Sequence, residues 1–137
     1  MEVNNFPPVG LVVEDDHSLR ELAAAALEET GLRIIEAASA EEALYLLRDH
    51  TGAVTFAFVN ARLPCLMSGI DLARKLSERW PTITLLLTCS EPNALEGELP
   101  PRTSVIPKPW LVLDILREAE RARAQDNVSR EPMVRMH

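Results

Sequence analysis

The chain has 137 residues, of which 47% are hydrophobic and 26% charged, and this composition predicts one globular domain with a single core. The formal net charge of −7, without a cluster of Lys and Arg, argues against nucleic acid as a partner. No apolar run approaches the roughly 20 residues of a membrane span, and the start of the chain lacks a signal-peptide pattern. We therefore expect a cytoplasmic protein that binds no membrane. Cys65 and Cys89 are too few for a disulfide framework and are predicted to be reduced thiols.

Five short apolar runs predict five strands. Runs such as TFAFV and TLLL show little of the alternation between apolar and polar residues that marks a half-exposed sheet. They are typical of parallel strands that helices cover on both faces. The predicted strands comprise residues 9–14, 32–37, 53–60, 82–88 and 103–107.

Helical patterns separate these strands. Five apolar residues at helical spacing predict the buried stripe of a first helix, and Gly31 follows as its stop signal. Ser39 with Glu42, and Ser68 with Asp71, match the capping box that opens a helix, and they predict the starts of the second and third helices. The stripe of the first helix consists of Leu19, Leu22, Ala23, Ala26 and Leu27.

The segment between Thr88 and Thr103 is the weakest helical candidate, because it contains three prolines and few apolar residues. We expect one short helical turn there. A last helix is predicted from its apolar face, and the polar sequence after it is predicted to be disordered. The expected organisation is an N-terminal extension at 1–8, one domain at 9–123 and a disordered tail at 124–137.

Strands and helices thus alternate along the chain, which predicts a doubly wound α/β domain of the flavodoxin-like type with a five-stranded parallel sheet. Ligands bind at the carboxyl ends of the strands in such sheets. Several carboxylates with a hydroxyl and an ammonium at that edge suggest a site for a divalent cation and a phosphoryl group. The polar residues that follow the apolar runs are Glu14, Asp15, Asp16, Asn60, Thr88 and Lys108. We assign Asp16 to capping the first helix.

The motifs VVEDD, NARLP, LLLTC and VIPKPW resemble those of receiver domains from bacterial two-component response regulators, over residues 9–122. The resemblance implies that Glu14 and Asp15 bind Mg²⁺ and that Thr88 senses a phosphoryl group. It implies that Lys108, which precedes Pro109, contacts that group. Asn60 then stands at the position of the acceptor Asp.

An amide at this position changes the expected chemistry, because a carboxamide is neutral and poorly nucleophilic and forms no acyl phosphate. We therefore expect phosphoryl acceptance to fail at Asn60. The expected Mg²⁺ ligands are Glu14, Asp15, Asn60 and the backbone carbonyl of Arg62, and the lost charge predicts weak binding.

Further differences from the resembled family occur nearby. Val105 stands where receiver domains usually carry an aromatic residue that reports phosphorylation. The loop sequence PCLMSG has one residue more than the usual spacing before the third helix. Trp110 follows the Lys-Pro pair and is predicted to pack under the last helix, with an edge at a partner surface. The expected partner face, from the fourth strand to the last helix, includes Val105 and Trp110.

Three functions compete at this level. The favoured one is an atypical receiver that is not an enzyme and works by binding a histidine kinase, another receiver, another signalling protein or a second copy of itself. The second is an ordinary phosphorylated regulator carrying an engineered Asp-to-Asn change. The third is a nucleotide or flavin binder or a phosphatase of the same fold. The EDDHS sequence disfavours it, because its carboxylates would repel a phosphate and His17 replaces the second acid of a phosphatase.

Overall fold

Five parallel strands form one sheet in the computed structural model, which describes residues 7–95 and 99–130. The strands are β1 (Val9–Val13), β2 (Arg33–Ala37), β3 (Val54–Asn60), β4 (Thr84–Cys89) and β5 (Thr103–Pro107). Their order in the sheet is β2-β1-β3-β4-β5. The helices are α1 (His17–Glu28), α2 (Ala40–Leu47), α3 (Gly69–Arg79) and α4 (Val112–Arg130), and a single 3₁₀ turn spans Pro92–Leu95. The doubly wound fold and the short helical turn are confirmed.

The sheet separates two layers of core, because successive side chains of a strand point to opposite faces. In β3, Ala57 and Val59 pack on the face covered by α2 and α3. Phe56 and Phe58 pack on the face covered by α1 and α4. The central strands are buried on both faces, which explains why their sequences are continuously apolar.

The boundaries of α4 differ from the prediction. The helix continues to Arg130, so the predicted disordered tail from residue 124 is wrong for 124–130, and 131–137 lie outside the described residues. The sequence there is polar but contains no Pro or Gly before Pro132, and so nothing in it stops a helix. Residues 1–6 of the predicted extension also lie outside the described part. No helix among the described residues is long and apolar enough to cross a membrane.

Helix α1 is rotated relative to the predicted stripe. Ala23, Ala24 and Leu27 are buried, whereas Leu19 and Leu22 are 39% and 48% exposed. Arg20 lies nearer the sheet than the two leucines, and its guanidinium reaches back and donates to the carbonyl oxygen of Glu14 at 2.8 Å. The orientation that exposes the two leucines thus lets Arg20 bond the end of β1.

Serine side chains cap the second and third helices as predicted. The Oγ atoms of Ser39 and Ser68 each accept a bond, at 3.1 Å, from the amide three residues later. These caps fix where each helix begins. The start of α3 is fixed further by its first residue, Gly69, whose amide donates to the carbonyl oxygen of Ala61 at 3.0 Å.

We predict that Gly69→Ala destabilises the protein by about 1–3 kcal/mol or more, because an added methyl group overpacks a filled site. A Cβ atom here would overlap the carbonyl oxygen of Asn60 and lie 2.8 Å from the Cα of Ala61, both of them backbone atoms. Urea unfolding would measure the loss.

Gly52→Ala is the matched control for this test. Its added Cβ would meet only the ring of His50, at 3.3 Å, which is the end of a side chain and not backbone. We expect a much smaller change in the free energy of unfolding, and equal losses for the two variants would contradict the packing argument.

Candidate functional site

Five polar side chains meet where β1, β3, β4 and β5 end. Glu14 and Asp15 directly follow β1, Asn60 is the last residue of β3, and Lys108 directly follows β5. Thr88 lies beside Asn60 in the register of β3 and β4. The structure thus brings together the residues that the sequence placed at this edge.

The carboxamide oxygen of Asn60 accepts two hydrogen bonds. The ammonium of Lys108 donates to Oδ1 at 2.9 Å, and the backbone amide of Arg62 donates to it at 3.0 Å. Both donors lie on the side of the amide that faces β5 and the loop after β3. These two bonds fix which end of the carboxamide is oxygen.

The carboxamide nitrogen faces the two acids. Nδ2 lies 3.3 and 3.4 Å from the oxygens of Glu14 and 3.5 Å from Oδ1 of Asp15. Asn60 is only 4% exposed and Glu14 is also buried, so the contacts between these two residues are shielded from water. The amide therefore bridges a lysine on one side and two carboxylates on the other.

Glu14 is 2% exposed, which is unusual for an acid. This desolvation raises the pKa of its carboxyl above the ordinary value. The amide of Asp16 donates to Oε2 at 2.9 Å and opposes the rise, whereas neighbouring Asp15 adds to it. Burial is the largest of these influences, so the charged form of Glu14 is held at a cost to stability.

The hydroxyl of Thr88 is fully buried and has no hydrogen-bond partner within the described part of the chain. An unpaired buried hydroxyl costs about 1–3 kcal/mol. Thr88 is the register partner of Asn60 on the neighbouring strand, so a polar ligand that reached this hydroxyl would satisfy it.

The comparisons with known proteins agree with this geometry. The sequence profile of the response regulator receiver domain matches residues 11–109, most of the chain. The chain belongs to the receiver domain family. No curated protein matches it.

Solved receiver structures share the fold at low sequence identity. A receiver protein from Sinorhizobium medicae has a TM-score of 0.79 and 15% identity, over 87% of this chain and 96% of that one. CheY4 of Vibrio cholerae gives 0.72 and 20%, over 85% and 99%. The receiver domain of NtrX from Brucella abortus gives 0.68 and 24%, over 82% and 96%. These likenesses establish the architecture.

Other predicted site residues lie at the border of this receiver's site or away from it. Asp16 caps α1, where its Oδ1 accepts from the amide of Leu19 at 3.0 Å. Trp110 is 8% exposed and packs edge-on against Phe58 at 5.3 Å, which confirms its packing role. Val105 packs against the core from β5. Their roles at a partner surface stay predictions.

A small cavity opens beside the site. Pro109 follows Lys108 through a cis peptide bond, and both residues line this cavity of about 320 Å³ together with Glu14, Leu19 and Trp110. A second cavity, of about 400 Å³, is lined in part by Ala61 and Arg62, the two residues that follow Asn60. The first cavity therefore borders the site through Glu14 and Lys108.

The residues fit a divalent cation only in part. Glu14 and Asp15 supply oxygen ligands, but the described residues contain no cluster of three or more acid, His or Cys side chains suited to a metal. Asn60 turns its NH₂ group, not its oxygen, toward the carboxylates. Ligation by Asn60 would require its amide to turn over and break the bonds to Lys108 and Arg62. The proposed ligation by the Arg62 carbonyl stays a prediction.

Sequence reasoning missed Glu41, which belongs to the first turn of α2 and looked like a helix-start acid. Its carboxylate accepts from the amides of Leu66 and Met67 at 3.1 and 2.8 Å. Bonds from its own amide and from Met67 hold the pKa of Glu41 below its usual range. The loop after β3 is thus anchored by a residue 25 positions earlier, a pairing for which the sequence carries no local signal.

We predict that Glu14→Gln gains stability relative to the parent as pH rises. A raised pKa means that the folded state holds the Glu14 proton more tightly than the unfolded state does. The resulting stability is fully present below the ordinary value of 4.5 and is lost as pH rises through the raised pKa. Urea unfolding at a series of pH values from below 4.5 upward, in chelator, would measure the difference in the free energy of unfolding between variant and parent.

The control is Glu28→Gln, which removes an exposed acid from the last turn of α1. Its difference from the parent should change much less with pH. If the two variants follow the same pH profile, burial of Glu14 does not set the pH dependence.

Proposed function

We propose that this receiver does not accept a phosphoryl group at Asn60 and acts as a phosphorylation-independent interaction module in two-component signalling. The observation that carries the proposal is the bridging of Asn60, whose amide occupies the centre of the pocket with both ends bonded. The family is shown by the profile match; the silent acceptor position is our assignment.

The chemistry of the amide supports this assignment. Phosphoryl acceptance requires an anionic oxygen that attacks phosphorus, and the oxygen of Asn60 is instead a neutral carbonyl engaged by two donors. The nitrogen is no substitute, because its lone pair is delocalised into the carbonyl and its hydrogens point at Glu14 and Asp15. We infer that the chain performs no catalysis on other molecules and works in the cytoplasm.

A bound phosphoryl group would attract the ammonium of Lys108, but Asn60 already accepts a hydrogen bond from it. Lys108 is fixed on Asn60 without any ligand. Val105 offers no aromatic ring whose rotation could report a change in the pocket. The proposed module is therefore held in one state, and its signal is whether the partner is bound.

The partner surface that we propose runs from β4 and β5 to the start of α4. Leu111 and Leu113 are 65% and 56% exposed there, which is unusual for leucine at the start of a helix that packs on a core. A histidine kinase, another receiver, another signalling protein or a second copy of this chain would cover them. No basic patch that would suit nucleic acid is present in the sequence.

The first test uses Mg²⁺ and a small acyl-phosphate donor, with intact mass as the readout. We expect no phosphoryl adduct on the parent and an adduct on Asn60→Asp, because Glu14, Asp15, Thr88 and Lys108 supply the rest of a phosphate pocket. Asn60→Ala is the matched control and should stay unmodified. An adduct on chains that still carry Asn60 would refute the proposal.

A second prediction concerns Mg²⁺, which we propose binds weakly to the parent. Asn60→Asp adds a third carboxyl beside Glu14 and Asp15, so the variant should unfold at a lower temperature in chelator. Mg²⁺ at about 100 times its dissociation constant would return about 2.7 kcal/mol to the variant. The parent should gain less at the same concentration. Asn60→Ser, which adds no charge, serves as the control, and equal Mg²⁺ shifts in all three proteins would contradict the prediction.

A further inference from the structure

The surroundings of the Asn60 carboxamide resemble a site for amide hydrolysis. Its oxygen lies 2.9 Å from the ammonium of Lys108 and 3.0 Å from the amide nitrogen of Arg62. Two donors on one carbonyl oxygen, one of them cationic, stabilise the negative charge that develops there when a nucleophile adds to the carbon. These donors are already in place and need no rearrangement.

The nitrogen side supplies the complementary groups. The carboxylates of Glu14 and Asp15 lie 3.3 to 3.5 Å from Nδ2. A carboxylate at this distance is able to take a proton from an attacking water and pass it to the departing nitrogen. The carboxamide is thus polarised at one end and has proton acceptors at the other.

A cavity lies beside the two side chains that hold this amide. The cavity of about 320 Å³ is bordered by Glu14 and Lys108, the two side chains that bond opposite ends of the amide. A cavity of this size has room for several water molecules, and its two charged side chains, Glu14 and Lys108, are the groups that would bind them. Asn60 itself is nearly buried, so bulk solvent does not compete with the donors on its oxygen.

The usual route for losing an Asn amide is closed here. That route needs the next backbone nitrogen to attack the side-chain carbon and form a cyclic imide. The nitrogen of Ala61 instead donates to the carbonyl oxygen of Thr88 at 2.9 Å, and Asn60 is held in an extended strand. Direct attack by water gives only Asp, whereas the cyclic route gives a mixture with isoaspartate.

We propose that this pocket slowly hydrolyses the side-chain amide of Asn60, which converts the residue to Asp. Water adds to the side-chain carbon and gives one proton to a neighbouring carboxylate, while Lys108 and the amide of Arg62 hold the oxyanion. The bond from carbon to Nδ2 then breaks, and the nitrogen takes up that proton and leaves as ammonia. The new carboxyl group keeps one oxygen from water and gives its proton to the ammonia, so the products are a carboxylate and ammonium and no other reactant is needed.

The conversion would create an acceptor where the parent has none. The chemistry of the conversion depends only on the contacts of Asn60. The role of the conversion in signalling rests on the proposed function. A chain that begins as a silent module would become competent for phosphorylation with age. Each molecule could do this once, so the pocket acts as a timer and not as an enzyme.

The test is a long incubation of the full chain in chelator and oxygen-18-labelled water, followed by peptide mapping. Asn93 is an internal control, because it is also followed by Ala and lies exposed in the 3₁₀ turn. We expect Asn60 to convert about tenfold faster than Asn93 or more, with one labelled oxygen and without isoaspartate. In denaturant the two rates should become equal.

Lys108→Met tests the mechanism, since it removes the cationic donor and keeps the length of the side chain. It should slow conversion at Asn60 by roughly 10²-fold and leave Asn93 unchanged. Thermal unfolding would confirm that the variant is folded, and Arg74→Met, on the exposed side of α3, is the control for loss of a cation.

Three outcomes would overturn the inference. In the first, Asn60 stays an amide while Asn93 converts; in the second, Asn60 yields isoaspartate. In the third, Asn60 loses ammonia without taking up labelled oxygen, as it would if the amine of Lys108 attacked its side chain and formed a crosslink. Each of these leaves the proposed function standing. The proposed function fails separately, if acyl phosphate modifies chains that mapping shows still carry Asn60.

Discussion

The side chain of Asn60 is the contact on which the rest of the site depends. One neutral group satisfies a lysine and a backbone amide with its oxygen and approaches two acids with its nitrogen. Without this bridge, a buried Glu14 would face Asp15 with no donor from β3, at the cost that buried like charges carry. The pocket is therefore organised by hydrogen bonds to an uncharged centre. This arrangement connects the loop after β3, the end of β1 and the end of β5.

The sheet makes this bridge possible, because the order β2-β1-β3-β4-β5 puts β3 between the strands that carry the acids and the threonine. The close approach of α3 then fixes the end of β3. Gly69 lies against the backbone of Asn60 and Ala61 so tightly that no side chain fits there. A packing constraint about ten residues away in sequence thus sets the position of the central amide. A change that moves the start of α3 would therefore also move the Asn60 side chain.

Periodicity and capping signals were sufficient to predict the fold and the edge of the sheet where the site lies. The uninterrupted apolar runs indicated a buried parallel sheet, and Ser39 and Ser68 marked helix starts. The rotation of α1 was missed, because helical spacing indicates an apolar stripe but not which residues of it face the sheet, and Ala23, Ala24 and Leu27 are the ones buried. The orientation of the Asn60 amide was equally invisible. It depends on which donors and acceptors the fold places around it, and residue types alone do not specify that.

The anchoring of the loop after β3 has a consequence for how this sequence can change. The amides of Leu66 and Met67 in this loop are held by a carboxylate from α2, and the sequence predicts one residue more in the loop than the receiver pattern has. Loss of Glu41 would release both amides and loosen the backbone that leads from Arg62 to α3. Loss of the additional residue would leave that carboxylate without its donors. We therefore expect Glu41 and the longer loop to be gained and lost together in related sequences.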